Sequence, residues 1–469
     1  MTVWVDVEDL FDYLLIGKRP SGIQRFAFEM CRALSAEPGV RFCRHQPLAG
    51  GLQQVAWSDV EQLYERLGAG QAEAAPAGRS GFDVLAAHAA RPPEGPGERG
   101  LIKRSLGRLP GTVRFPLMRT VLSQAAAAKH GVESARAIAG LVAGFAHDRL
   151  RPAARRTQGE AIAPAPGDVL LVPGAPWSRP EYGQMLAGLK QRHGLRVALV
   201  VYDLIAILHP EWFDPGLVRV FGSWLRATLP HCDWALAISR ATAADLTEWL
   251  AREGLAAATR VETIPVGTGF GAIPPLPPAV APPPADPGYV LFVSTLEARK
   301  NHTLAFRAWR RLMREMPEAQ VPRLVFAGQV GWLVADLMQQ IENSAHLGGK
   351  LVLVRGGSDA ELRLLYRDCR FTLFPSFYEG WGLPVTESLS FGRACIASDR
   401  ASVPEAGGPF CLYLDPDNVT GATALIRRAI EQPQEIAALE RRIREEFRPT
   451  PWSAAARAIL DLTAHPGER

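Results

Sequence analysis

Beyond Gly288 the chain alternates short apolar runs with amphipathic stretches, and this rhythm limits the fold more than any other feature. The runs are Tyr289 to Val293, Arg323 to Ala327, Leu351 to Val354, Phe371 to Phe374 and Ala394 to Ala397, with a helical stretch at His302 to Met316 after the first. A strand apolar on both faces must be covered on both sides, and parallel neighbours need a crossover, usually helical, between them. The pattern therefore predicts a doubly wound α/β sheet. The first half repeats it less regularly, with strands at Val3 to Val7, Val169 to Val172, Val197 to Val201 and Trp234 to Ile238. Its helices are expected at Ile23 to Leu34, after the turn-rich Gly17 to Gly22, and from an N-cap at Ser239 through Leu250.

Between the halves lies Gly271 to Gly288, where eight of eighteen residues are proline. Such a run neither continues a helix nor joins a central strand, and it reads as a linker. The expected division is a first domain at 1–270, the linker at 271–288, a second domain at 289–449 and a terminal helix at 450–469. The first domain carries a basic insertion at about 69–164. Residues 91–160 hold 13 Lys/Arg against 5 Asp/Glu, a local excess of +8 in a chain whose total is only +4. That excess fits either an anionic surface or a solvated insertion. The even overall charge speaks against a nucleic-acid partner. Six cysteines scattered without a C-x-x-C pair argue against a zinc knuckle or disulfide scaffold and fit a reducing cytosol. The longest apolar run, Ala137 to Ala146, is half a bilayer span, and the acidic, strand-like start is unlike a signal peptide, so a cytoplasmic protein is expected.

Open α/β sheets bind ligands beyond the carboxyl ends of their strands. Gly267-Thr-Gly-Phe-Gly271 lacks dinucleotide-fingerprint spacing, and neither Gly17-Lys18 nor Gly349-Lys350 completes a P-loop. Phe374 to Glu387 stands out instead. A strand ends at Phe374, a loop carries Glu379, Gly380, Trp381 and Gly382, and Pro384 suits the first turn of a helix that includes Glu387 and is capped at Gly392. Two glycines beside a helix start let backbone N–H groups approach an anion, and two carboxylates eight residues apart suit sugar hydroxyls. The segment fits a nucleotide that bears a sugar.

With its E-x7-E pair Glu379 and Glu387, the sequence resembles the retaining glycosyltransferases of family 4. Val293-Ser-Thr-Leu-Glu-Ala-Arg-Lys-Asn301, Ala327-Gly328, Ser358-Asp-Ala-Glu-Leu362, Ser402-Val-Pro-Glu405 and Asp415-Pro416 resemble that family in order. In the first half so do Ser21-Gly-Ile-Gln-Arg25, Tyr202-Asp-Leu-Ile205 with Pro210-Glu211, and Ala237-Ile-Ser-Arg240. The resemblance implies a GT-B fold: two Rossmann-like parallel-sheet domains facing across a cleft, with the last helix crossing back to the first. It implies that Lys300 sits against the donor diphosphate and Glu379 faces the donor sugar. It places Glu387 on the ribose hydroxyls and the backbone of Gly380, Trp381, Gly382 and Leu383 at the donor. Many members have an arginine where Thr295 stands, with Arg299 as a candidate substitute, and a histidine where Tyr202 stands. Ser21, Gly22, Arg25, Asp203 and His209 are acceptor-side candidates. For Asp203 the plainer reading is a turn residue, and for His209 a loop histidine. Trp177 and Trp212 read as packing residues, and Trp452 as the anchor of the terminal helix.

The resulting expectation is a hexosyltransferase of polysaccharide biosynthesis. It would use no metal and no cofactor beyond its nucleotide-sugar co-substrate, GDP-mannose first and UDP-sugars next. The expected acceptor is a glycan, free or polyprenyl-diphosphate-linked, with the basic insertion against the anionic inner face of the cell membrane. A nucleotide-sugar epimerase on the same fold and an inactive scaffold are the alternatives.

Overall fold

The computed structural model describes residues 1–16, 22–45, 51–68, 79–89, 160–256, 259–269 and 286–464. Most of the basic insertion, nearly all of the proline-rich linker and Ser21 lie outside the described residues. In the first half the strands are β1 (Val3–Asp6), β2 (Val40–His45), β3 (Leu52–Val55), β4 (Ala161–Ile162), β5 (Val169–Val172), β6 (Arg196–Val201), β7 (Trp234–Ala237) and β8 (Arg260–Thr263). In the second they are β9 (Tyr289–Val293), β10 (Arg323–Ala327), β11 (Leu351–Val354), β12 (Phe371–Phe374), β13 (Cys395–Ser398) and β14 (Cys411–Leu414). They form an eight-stranded sheet, β4-β3-β2-β1-β5-β6-β7-β8, and a six-stranded sheet, β11-β10-β9-β12-β13-β14. The second sheet is parallel throughout. The first departs from parallel only at its edge, where β3 runs antiparallel to β2 and β4.

Side-chain alternation explains how both faces are filled. In the second sheet Val290, Phe292, Leu324 and Phe326 join one core, under the His302–Glu315 helix with its buried Trp309. Tyr289, Leu291, Val325 and Val352 face the opposite core. Phe82, Val84 and Leu85 of the Gly81–Ala89 helix complete that second core. This helix falls within the expected insertion, yet it serves the second sheet rather than the first. Gly81 N–H donates to Asp368 at 2.7 Å, and any side chain at Gly81 would collide with the Tyr289 hydroxyl.

In the first sheet, Val3, Val5, Val169 and Leu171 face a core closed by the Gly22–Leu34 helix together with Ala455, Ala456 and Ile459 of the Trp452–Ala464 helix. The last helix of the described chain thus packs on the first sheet. Trp452 meets Phe26 edge-on at 5.2 Å and lies over Gly267, where a Cβ would enter its indole. All six cysteines are buried and free of disulfides. Among the described residues no helix is long and apolar enough to cross a membrane.

Both sheets end in loops that meet. Gly328, which follows β10, packs so closely that a Cβ would lie inside van der Waals contact with the Ser294 carbonyl. Backbone atoms on both sides leave nothing flexible to yield, so Gly328→Ala is expected to destabilise the fold by about 1–3 kcal/mol, read as a lower urea midpoint at unchanged m-value. An unchanged midpoint would show that the β9 and β10 loops are looser than they stand.

Candidate functional site

The site begins with a tight turn. After β9 a 3-10 turn, Ala298–Lys300, leads into Asn301, whose φ of 60° is a conformation asparagine tolerates. Asn301 caps the next helix by accepting from Leu304 N–H at 3.3 Å. Its amide nitrogen donates to the Pro375 carbonyl at 3.2 Å and the Pro416 carbonyl at 2.9 Å. One side chain thereby pins the turn to the loop after β12 and to the Asp415-Pro416 corner.

That anchoring aims two cations at one carboxylate. Lys300 Nζ lies 2.6 Å from Glu379 Oε1, and Arg299 Nη1 lies 2.7 Å from Glu379 Oε2. Arg299 also pairs with Glu297 at 2.8 Å and donates to the Tyr378 carbonyl at 2.6 Å. Burial pushes the Glu379 pKa up, but Arg299 and Lys300 together outweigh it and bring it down to about 2. Glu379 is therefore a buried carboxylate held ionised. The neighbouring Asp203 goes the other way: burial raises its pKa, opposed mainly by Arg299.

Glu387 sits in the Leu383–Ser390 helix, which starts at Gly382 with φ 114° and has no side-chain cap. Its Oε2 accepts from the Tyr366 hydroxyl at 2.8 Å, and its Oε1 pairs with Arg25 Nη1 at 3.0 Å. The structure thus joins two residues that the sequence placed on opposite substrates. The two loop glycines have different reasons. Gly382 takes a backbone angle that side chains avoid, whereas Gly380 is pressed against the Tyr202 carbonyl and Asp203 Cβ of the first half. Ser402 Oγ braces the loop from within hydrogen-bond distance of two carbonyls, Glu379 at 2.7 Å and Trp381 at 3.0 Å, its single proton shared between them. Arg299 Nε, Ser376 Oγ and Trp381 Nε1 are buried without a hydrogen-bond partner among the described residues.

The other expected residues divide. Asp203 accepts from Ile205 N–H at 3.0 Å, the turn role, while lying in the field of Arg299 and Glu379. Gly22 starts the Gly22–Leu34 helix with open space around its Cα. Thr295 is exposed. Arg299, the candidate substitute for the arginine missing at Thr295, contacts Glu379, Glu297 and the Tyr378 carbonyl. His209 stacks on Trp212 at 4.5 Å and approaches Glu211 at 3.3 Å, an aromatic and loop environment. Trp177 packs edge-on against Phe221 and Trp224 and lines a cavity of about 220 Å³ that reaches Asp203 and Arg299.

Several residues that tie the site together escaped the sequence reading. Glu405 accepts from the N–H groups of Arg240 and Ala241 at 2.9 and 2.8 Å, capping a helix of the other half. The Tyr378 hydroxyl donates to Asp245 at 2.8 Å, and Trp332 Nε1 donates to the Trp212 carbonyl at 2.8 Å. Glu405 lies in the quoted Ser402-Val-Pro-Glu405 stretch, and the E-x7-E segment contains no hint of Asp245. At the ends of β1 and β2 a further network is paired within itself: Asp6 with His45 and Tyr182, each at 2.7 Å, and Glu8 with Arg44 at 3.0 Å.

Two parallel sheets whose loops meet at such a site, with the last helix returned to the first sheet, constitute the GT-B fold. HepE of Anabaena, solved with UDP and glucose, shares it over 99% of both chains with a TM-score of 0.54 at 13% identity. Residues 278–446, within the second half of the chain, match the family described as glycosyl transferases group 1. Over 250 residues the chain is 29% identical to the serotype-specific mannosyltransferase WbdA of Escherichia coli, covering 51% of this chain and 30% of that protein. Over 144 residues it is 33% identical to the O-antigen chain mannosyltransferase B of E. coli, covering 31% and 37%. The chain thus spans about a third of the length of these relatives.

The ion cluster makes a prediction about acid stability. A carboxylate whose pKa falls from 4.5 to about 2 on folding stabilises the fold above the unfolded value and loses that contribution as pH drops through the folded one. The stability gap between the wild type and Glu379→Gln, from urea melts, should be constant above about pH 5 and narrow toward pH 2. A gap independent of pH would mean that Glu379 is not ionised between its two cations.

Proposed function

We propose that the chain is a retaining hexosyltransferase that moves mannose from GDP-mannose to a glycan in polysaccharide synthesis, with UDP-sugars as the next candidate donors. The observation that carries this reading is the pairing of Lys300 with Glu379 of the loop that leads into the uncapped Leu383–Ser390 helix, which carries Glu387. The match to glycosyl transferases group 1 and the likeness to mannosyltransferases support it.

In this reading the leaving group is a nucleoside diphosphate, so catalysis consists mainly of neutralising the charge that grows on it. A cation at ~4 Å contributes about 4 kcal/mol of gross attraction at an effective dielectric near 20. Lys300 supplies that cation, and the backbone N–H groups at Gly382 and Leu383 supply the positive end of a helix. Glu379, kept ionised, orients Lys300 and accepts from hydroxyls of the transferred sugar. Glu387 takes the ribose hydroxyls in exchange for Arg25. The protein's own cations fill the role that a metal plays in other diphosphate sites, so the proposal includes no metal.

Binding and turnover test these roles separately. GDP-mannose or GDP at ~100 times its dissociation constant should stabilise the protein by about 2.7 kcal/mol in a thermal melt, and Glu387→Ala should abolish that shift. Lys300→Ala should lower mannose transfer by about a hundredfold or more, in line with the loss of one charge-stabilising donor. Transfer should be unaffected by excess EDTA. A shift with neither GDP nor UDP compounds in folded protein would remove the proposal, and inhibition by EDTA would remove its metal-free form.

A further inference from the structure

The cavity of about 220 Å³ beside the ion cluster has walls unsuited to a sugar. Trp177, Ala206, Phe221 and Trp224 form its sides, while Asp203, Glu297 and Arg299 supply charge at one end. A hydroxyl-rich ligand would leave most of its polar groups unpaired against such walls. A cavity of ~150 Å³ accommodates benzene, so this one has room for an apolar chain on the order of eight carbons.

The rim shows the same chemistry. The exposed large hydrophobic residues among the described chain are Met1, Leu217, Val220, Val330, Trp332 and Leu333. Leu217 and Trp332 line the cavity, Val220 lies one turn beyond Leu217 on the Pro215–Thr228 helix, and Val330 and Leu333 bracket Trp332. Leu333, 60% exposed, holds a φ of 58°, a backbone conformation that leucine rarely adopts and that costs about 1 kcal/mol or more. Leu217 and Trp332 thus bring exposed apolar surface to the cavity from both halves of the chain, with Val220, Val330 and Leu333 close to them in sequence, as a binding site for an apolar ligand would.

Resting on the transfer function proposed above, we infer that this cavity binds the hydrocarbon chain of a lipid-borne acceptor, with the acceptor sugar at the Asp203 end. Asp203, Glu297 and Arg299 together carry more carboxylate than cation, which favours neutral hydroxyls there over a phosphate. Arg299 contacts Glu379 at 2.7 Å, so a sugar at that end lies beside the residues assigned to the donor.

The test uses octyl and methyl α-mannoside, the former below its micelle concentration, titrated against tryptophan emission of the intact chain. Octyl mannoside should bind at least tenfold more tightly than methyl mannoside. Ala206→Phe, which fills the cavity, and Leu217→Glu, which charges its mouth, should each remove that advantage. Leu217 is already 36% exposed, so its variant is expected to fold even where the filled cavity does not. Equal binding of the two mannosides, or an octyl advantage kept in Leu217→Glu, would overturn the inference. The donor melt on the same preparations separates the claims. A donor shift without an octyl advantage overturns the inference alone, and an octyl advantage without a donor shift overturns the transfer function.

Discussion

A carboxylate buried between a guanidinium and an ammonium is the constraint around which this molecule is organised. Glu379 comes from the loop after β12, and Arg299 and Lys300 from the turn after β9. None of the three can be buried without the others, because removing one partner of a buried ion pair strands a charge in a poorly solvating interior. The turn must therefore be rigid, and Asn301 makes it so by capping a helix with one side-chain atom and reaching two carbonyls with another. The loop must be equally fixed, and Ser402 braces it from behind. Local backbone choices that look arbitrary one at a time become necessary once the charges are fixed.

The same loops hold the two sheets together. Gly380 permits backbone contact with Tyr202. Glu405 supplies the cap for a helix belonging to the other half, Tyr378 reaches Asp245, and Arg25 reaches Glu387. Apolar contacts join the halves as well: Trp381 and Leu383 pack against the core of the first sheet, and Phe377 stacks on Trp212. Under the proposed function Glu387 exchanges Arg25 for the donor ribose, so donor binding would also alter the contact between the halves.

Much of this was legible in the sequence, for identifiable reasons. The strands of the second half are buried on both faces and read as continuous apolar runs, so β9 to β12 emerge with their observed limits. β2 and β3 were invisible because Val40–His45 and Leu52–Val55 mix polar and apolar residues, and β8 is similarly polar. Glu379 and Glu387 could be named because loop, helix start and carboxylate spacing are local features, whereas Lys300 was named through the family resemblance. Their partners could not. Asp245, Tyr366 and Glu405 meet the site only through tertiary packing, and so do the three oxygens that Arg299 contacts. The placement of Gly81–Ala89 was equally hidden, since nothing in its sequence says which sheet its apolar face will cover.

That helix has a consequence for how the molecule is made. Phe82, Val84 and Leu85 leave the ribosome some two hundred residues before Tyr289 and almost three hundred before Leu364 to Tyr366, the groups they pack against. The Trp452–Ala464 helix repeats the problem in reverse, because one face of the first sheet lacks Ala455, Ala456 and Ile459 until some four hundred and fifty residues have followed Val3 and Val5. Neither half can finish its interior while the other is missing. A nascent chain thus carries sticky, uncovered faces until those distant partners emerge, and the two halves reach their native state together rather than in the order in which they are read.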